Sequence, residues 1–164
     1  MEVWLLRHAA AEDASPSGRD ADRALSAEGL ERARGVARGI AALEPEIGLI
    51  LTSPYRRARQ TAEPVARALG LSRRLRDSRS LEPGRDPQEI LEEIRAESVP
   101  GVLLVGHEPH LGALLGRLVA GRPLLTLPLK KAAVARVDWD GTGVGELRAV
   151  LPARVLERLR AGRR

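Results

Sequence analysis

Residues 3–13 read VWLLRHAAAED. Four apolar residues run directly into Arg7 and His8, where a strand more often fades into Gly, Asn or Ser. The run is too short and too apolar for an amphipathic helix, so a strand over residues 3–7 is predicted. It would deliver an arginine and a histidine to its own carboxyl end. The same device recurs twice. GLILT (48–52) runs into SPYRRARQTA, and GVLLVG (101–106) runs into HEPHLGALLGRLVAG.

Between these strands lie longer stretches with helical spacing. Ser26 can cap a helix whose apolar face is Leu30, Ala33, Ala37 and Ile40. Ser53 is an N-cap candidate with Pro54 as first helical residue, and that helix should reach Leu69 and stop at Gly70. Residues 73–81 leave room for a short edge strand, and Asp86-Pro87 opens a further helix. AAVARVDW and GELRAVL alternate like paired strands around DGTG, and PARVLERLR closes as a short helix, with AGRR expected to fray. Short strands alternating with helices predict an α/β domain. The expected architecture is a three-layer α/β/α sandwich with a mostly parallel central sheet, compact and without a large lid insertion, in a single domain over 1–164.

Composition narrows the chemistry. Cysteine is absent, which removes disulfides, thiolate nucleophiles and Cys-based metal sites. Phe is also absent, Tyr occurs once and Trp twice, so Leu, Val, Ile and Ala must build the core. The net charge is +5, carried almost wholly by Arg; Lys130 and Lys131 are the only lysines. A basic surface favours anionic partners such as phosphates, acidic proteins or nucleic acid. The apolar stretch after Met1 is broken at Arg7, so neither a signal peptide nor a membrane span is expected, and the default compartment is the cytoplasm.

Three strands that each end in a polar cluster place Arg7-His8, Ser53 to Arg57, and His107-Glu108 at one sheet edge, provided they are parallel neighbours. Open α/β sheets bind ligands at that edge. Two of the clusters also open helices, whose free N–H groups favour an anion. Arg57 falls in a first helical turn, and helical side chains lean toward the N-terminus, so its guanidinium can reach that anion. Two arginines, two histidines and two helix starts describe a phosphate pocket. A neutral imidazole there is a competent nucleophile toward phosphorus, with guanidinium forks matched to the phosphoryl oxygens. Its second ring nitrogen must be protonated and held, and a backbone carbonyl is the expected partner.

These segments carry a family resemblance. LLRHAAA resembles the Arg-His-Gly signature of the histidine phosphatase (phosphoglycerate-mutase-like) superfamily. SPYRRARQTA is similar to its Ser-Pro-x-x-Arg-Ala-x-Gln-Thr segment, RALSAEG to its Arg-x-Leu-Thr/Ser-x-x-Gly, and VGHEPHLG to its late histidine segment. The four fall in family order across residues 1 to about 120. The resemblance implies His8 as the phosphorylated nucleophile, Arg7 and Arg57 as phosphate-binding residues, and His107 beside the phosphate. Ala9 stands where most members carry Gly, as in the small subgroup resembling bacterial phosphohistidine phosphatases; Ala tolerates left-handed backbone poorly, which speaks against a positive-φ turn there.

Residues 62–106 leave no room for the long insertion that bears a lid and an acid glutamate in mutases and many ester phosphatases. An open site suits a protein-borne phosphate. Phosphohistidine leaves through imidazole, a better leaving group than an alkoxide, so the missing acid is consistent with that substrate. The implied activity is a metal-independent phosphatase, with no cofactor, acting on phosphohistidine in a phosphorylated protein. The alternative is a small phosphate monoester. Glu82 is a candidate acid for the latter, or an ordinary loop glutamate; Arg23 is a candidate rim arginine and Ser53 a candidate substrate contact. Glu108 reads as a helix cap and His110 as a helix-surface histidine.

Other readings fare worse. Arg7 paired with an acid such as Asp22, and Arg57 as a solvated helix arginine, are the bland alternatives. His107 and His110 lie three apart with Pro109 between them, unlike the four-residue spacing of His-Glu-x-x-His zinc sites. RRLRDSR and RLRAGRR suggest nucleic-acid binding, but three aromatics offer little for base stacking. A monomer without nucleic-acid or membrane partners is expected.

Overall fold

The computed structural model describes residues 1–123 and 127–159; the terminal AGRR lies outside them. Six strands form one sheet: β1 (Glu2–Arg7), β2 (Leu49–Thr52), β3 (Leu75–Asp77), β4 (Gly101–Gly106), β5 (Val134–Asp138) and β6 (Glu146–Leu151). Their order is β3-β2-β4-β1-β5-β6. The first four of that order run parallel, and β5 and β6 complete the sheet antiparallel. Every residue of β2 and β4 is buried. That is the pattern of central parallel strands covered on both faces, and it explains why these runs are continuous rather than alternating.

Among the described residues, five helices supply the covers: α1 (Ala27–Ala42), α2 (Arg56–Ala68), α3 (Pro87–Arg95), α4 (His110–Ala120) and α5 (Ala153–Leu156). Trp4, Leu6, Ile50, Leu103 and Val105 point to one face and pack with residues of α1, α2 and α5. Val3, Leu5, Leu51, Val102 and Leu104 point to the other and pack with α3 and α4. The result is the expected three-layer α/β/α sandwich. Each buried leucine contributes about 1.5–3 kcal/mol relative to exposure, so the two aliphatic cores do without phenylalanine.

The helix starts set the site. Ser26 Oγ accepts the Gly29 N–H at 3.1 Å, the predicted cap of α1. A Cβ on Gly29 would lie 1.9 Å from the Ala10 carbonyl oxygen, so this glycine lets α1 rest on the backbone just past His8. Asp86 caps α3 through the Gln88 N–H at 2.9 Å, with Pro87 in the first turn. Two starts differ from expectation. α2 begins at Arg56 with Tyr55 as N-cap, so Ser53 does not cap it, and α4 begins at His110 rather than at His107. The Ser-Pro pair instead extends the strand exit by two residues, freeing the Ser53 side chain for another partner.

Between α2 and β4 the chain holds two single 3-10 turns (Ser72–Arg74 and Arg79–Leu81), the predicted edge strand β3, and α3. Ile90, Leu91 and Ile94 of α3 face the second core, so this helix lines the sheet instead of arching over its edge. Among the described residues, no helix is long and apolar enough to cross a membrane.

Candidate active site

Strands β2, β4 and β1 are consecutive neighbours, with Thr52 opposite Val105 and Arg7 opposite Gly106. Register continues one residue beyond them. The His8 N–H donates to the Gly106 carbonyl at 3.0 Å, and the Ser53 N–H to the Val105 carbonyl at 2.9 Å. His8, Ser53 and His107 therefore leave three adjacent strands at one level, and the three polar clusters read from the sequence converge.

His8 is buried, with 9% of its surface exposed. Its Nδ1 lies 2.7 Å from the Ala9 carbonyl oxygen. A carbonyl can only accept, so Nδ1 carries the proton and Nε2 keeps its lone pair. Burial lowers the ring's pKa most, and the charges of Arg57, Arg7 and Lys131 lower it further, against the raising effect of the Ala9 carbonyl. It falls from 6.5 to about 4. The imidazole is thus neutral near pH 7, with one nitrogen free to attack.

His107 stands beside it, the ring centroids 5.0 Å apart. Its Nε2 is 2.8 Å from Ser53 Oγ, which also accepts the Tyr55 N–H at 3.3 Å. Its Nδ1 is buried without a hydrogen-bond partner among the described residues. Burial, followed by the neighbouring His8 and Arg57, lowers this ring's pKa to about 3. Tyr55 meets the His107 ring edge-on at 5.1 Å, and the Arg57 guanidinium sits 5.0 Å over the tyrosine ring.

Arg57 is buried, with 6% of its surface exposed, so it is no solvated helix arginine. It reaches back from the first turn of α2 to Asp20, donating to that residue's carbonyl at 2.7 Å and to its carboxylate at 2.9 Å. The other carboxylate oxygen of Asp20 takes Arg23 at 2.8 Å, while Arg23 Nε donates to the Glu12 carbonyl at 2.7 Å. Burial alone would raise the Asp20 carboxyl, but Arg23 and Arg57 outweigh it and hold it below the usual carboxylate value. Arg23 therefore stands one carboxylate away from Arg57. Arg7 donates to the Leu129 carbonyl at 2.9 Å, and its Nε is buried without a partner among the described residues. Asp22, the suggested partner of Arg7, pairs with Arg19 at 2.8 Å instead.

The rest of the RARQT segment ties this edge together. Thr61 Oγ1 accepts the Ala9 N–H at 3.1 Å and donates to the Arg57 carbonyl at 2.7 Å. Gln60 Oε1 accepts the Leu25 N–H at 2.7 Å, binding the loop ahead of α1 to α2. Ala9 is fully buried, and its φ is not positive; among the described residues, the non-glycine positions with positive φ are Glu44 and Ala132. Asp20, Gln60 and Thr61 were not singled out from the sequence as site residues. For Asp20, a usable signal was an acid three residues ahead of Arg23 in the segment leading to RALSAEG.

Glu82 follows the turn Arg79–Leu81, and the Leu81 carbonyl approaches Gly106 at the end of β4. It sits at the same sheet edge, partly exposed, with no side-chain hydrogen bond or ion pair among the described residues. Glu108 does act as a cap, accepting the Gly112 N–H at 3.3 Å and also the Leu129 N–H at 2.8 Å. His110 is not a surface residue; it is 4% exposed, and burial lowers its pKa. It shares a small cleft with Gly84, Arg85 and Pro87 at the opening of α3, and Arg117 of α4 pairs with the α3 cap Asp86 at 3.5 Å. Among the described residues, no cluster of three or more His, Cys, Asp or Glu side chains is placed to hold a metal. Trp4 and Trp139 are buried and Tyr55 packs within the site, which leaves no stacking platform among the aromatic residues.

The profile of the histidine phosphatase superfamily (branch 1) matches residues 3–79. Phosphohistidine phosphatase SixA of Escherichia coli is 31% identical over 150 residues, covering 88% of this chain and 89% of the relative. An uncharacterized protein of Picosynechococcus sp. is 36% identical over 137 residues, covering 82% of each. A solved structure of the protein histidine phosphatase SixA complexed with tungstate superposes with a TM-score of 0.84 at 29% identity, covering 94% of this chain and 98% of that one. By sequence and by fold, the chain is a hydrolase that belongs to the histidine phosphatase superfamily, in its SixA-like phosphohistidine phosphatase subgroup.

Proposed function

We propose that this protein removes phosphate from phosphohistidine on a protein substrate through a covalent phospho-His8 intermediate. The observation that carries the reading is the Nδ1 contact of His8 with the Ala9 carbonyl, which leaves Nε2 as an unprotonated nucleophile. In the first step Nε2 attacks phosphorus and the P–N bond to the substrate imidazole breaks; that imidazole, already protonated on its far nitrogen, leaves as the neutral ring. Water then attacks phosphorus, the P–Nε2 bond breaks, and orthophosphate departs with His8 neutral again. Arg7 and Arg57 hold the phosphoryl oxygens, where developing charge is met by preorganised guanidinium groups. His107, fixed by Ser53, offers its buried Nδ1 to the same group; an arriving dianion favours the protonated ring. The chemistry assigned to these four side chains calls for no metal.

The similarity to SixA supports the substrate class, and the tungstate complex of a relative supports a tetrahedral oxyanion in this pocket. The packing of α3 into the second core, rather than across the sheet edge, supports a phosphate carried on a protein surface. Glu82, unpaired at that edge, supports the second reading, a small phosphate monoester whose alkoxide needs an acid. Side-by-side kcat/KM values on a phosphohistidine protein and on common monoesters, in EDTA, test the choice. A phosphohistidine preference that persists when Glu82 is changed to Gln is expected; an ester preference lost in Glu82→Gln would reverse it.

A further inference from the structure

A cleft of about 240 Å³ next to the site is lined by Arg32, Lys130, Lys131, Pro152, Ala153 and Arg154. Four of these six side chains are cationic and none is acidic. Both lysines of the chain lie here. Arg32 is paired with Glu28 at 3.3 Å and Glu157 at 3.8 Å, whereas Lys130, Lys131 and Arg154 make no ion pair among the described residues.

The cleft shares a wall with the reacting centre. Leu129, just before the lysines, accepts the Arg7 guanidinium; Ala132, just after them, donates its N–H to the carbonyls of Arg7 at 3.1 Å and His8 at 3.3 Å. Ala132 takes φ +59, a left-handed turn unusual for alanine. Its fixed bonds turn Lys130 and Lys131 out to solvent. On the loop between β1 and α1 the cations are paired instead: Arg19 with Asp22, and Arg23, together with Arg57 of α2, with Asp20. The site is therefore flanked by one side whose arginines are paired with acids and one whose lysines make no ion pair among the described residues.

Resting on the reading of the chain as a phosphohistidine phosphatase, we propose that this cleft docks acidic side chains beside the phosphohistidine of the protein substrate. The cations come from three elements and are mostly exposed, an open surface for carboxylates rather than a closed site for a second phosphate. The lack of an aromatic platform disfavours nucleic acid. Exposed charge pairs act chiefly on encounter and orientation, so the effect should appear in KM and in salt dependence.

The test compares three substrates: a phosphohistidine peptide flanked by aspartates, the same peptide flanked by asparagines, and free phosphohistidine. The protein is the full chain and its Lys130→Glu/Arg154→Glu variant, with circular dichroism melting to check the fold. The wild type should favour the acidic peptide by about tenfold in kcat/KM, chiefly through KM and less at high salt. The variant should lose that preference and keep its rate on free phosphohistidine. Equal turnover of the two peptides by the wild type overturns the docking proposal, as does an equal loss on all three substrates in the variant. Competition by a single-stranded oligonucleotide, without a peptide preference, reassigns the cleft to nucleic acid and overturns it too. If the wild type hydrolyses none of the three but does hydrolyse monoesters, the phosphohistidine reading fails and takes the docking proposal with it.

Discussion

Asp20 holds Arg57 twice, through its carbonyl at 2.7 Å and its carboxylate at 2.9 Å, and the same carboxylate holds Arg23. A loop acid thereby fixes the aim of a buried cation that belongs to the opening of α2. The two effects of Asp20 on a bound phosphate have opposite signs. Its geometry positions Arg57, while its negative charge repels an anion. Asp20→Ala should lower kcat about tenfold, roughly 1.4 kcal/mol in the barrier. Inhibition by orthophosphate should stay as tight or become tighter. Steady-state kinetics with phosphate as inhibitor check this; unchanged kcat would deny Asp20 a positioning role.

Thr61 joins the loop that follows His8 to the helix that carries Arg57, by accepting the Ala9 N–H and donating to the Arg57 carbonyl. Thr61→Val keeps the volume and leaves a buried N–H without a partner, at a cost of about 1–3 kcal/mol. Urea unfolding should show that loss. The activity that remains should have a lower kcat, because His8 and Arg57 are no longer tied to each other.

Gly29 sits where a Cβ would come within 1.9 Å of the Ala10 carbonyl oxygen. Gly29→Ala must push α1 away from the chain that follows His8, and a stability loss of about 1–3 kcal/mol is expected for such overpacking. Gly18 has open space around it but sits at φ +73, so Gly18→Ala costs backbone strain while leaving the packing next to His8 undisturbed. A kcat lowered in Gly29→Ala and kept in Gly18→Ala separates close approach beside His8 from loss of stability alone.

The two site histidines also set a pH dependence of stability. Their folded pKa values, about 4 for His8 and about 3 for His107, lie below the unfolded value of 6.5. Between those limits the unfolded chain binds protons that the folded chain does not. Their contribution is therefore fully present above pH 6.5 and is lost as pH falls, at up to about 1.4 kcal/mol per pH unit for each ring. The loss levels off below about pH 4 for His8 and pH 3 for His107. Urea midpoints should fall between pH 7 and 5, and less steeply in His8→Ala; a flat wild-type profile would contradict the burial of neutral imidazoles.

The parts legible in sequence were those written locally. Apolar runs ending on Arg7-His8, Ser53 and His107 placed three strand exits, and Ser26 and Asp86 marked two helix starts. Ser53-Pro54 misled because the cap pattern is also satisfied two residues early, with the hydroxyl spent on His107 across 54 positions of chain. His110 looked exposed from its helix alone; it is buried beside the opening of α3, a segment distant in sequence. Asp20, Gln60 and Thr61 act through contacts between segments, which no periodicity records. Ala9 was legible in part: its identity argued against a left-handed turn, while its bond to Thr61 needed the fold.

The phosphoenzyme is the most direct test. Wild-type protein mixed briefly with labelled phosphohistidine substrate and quenched in alkaline detergent should carry an acid-labile phosphate on His8. That label should form and decay at rates compatible with turnover and be absent from His8→Ala, which should be inactive. Turnover without any labelled intermediate, or an active His8→Ala, would contradict the account.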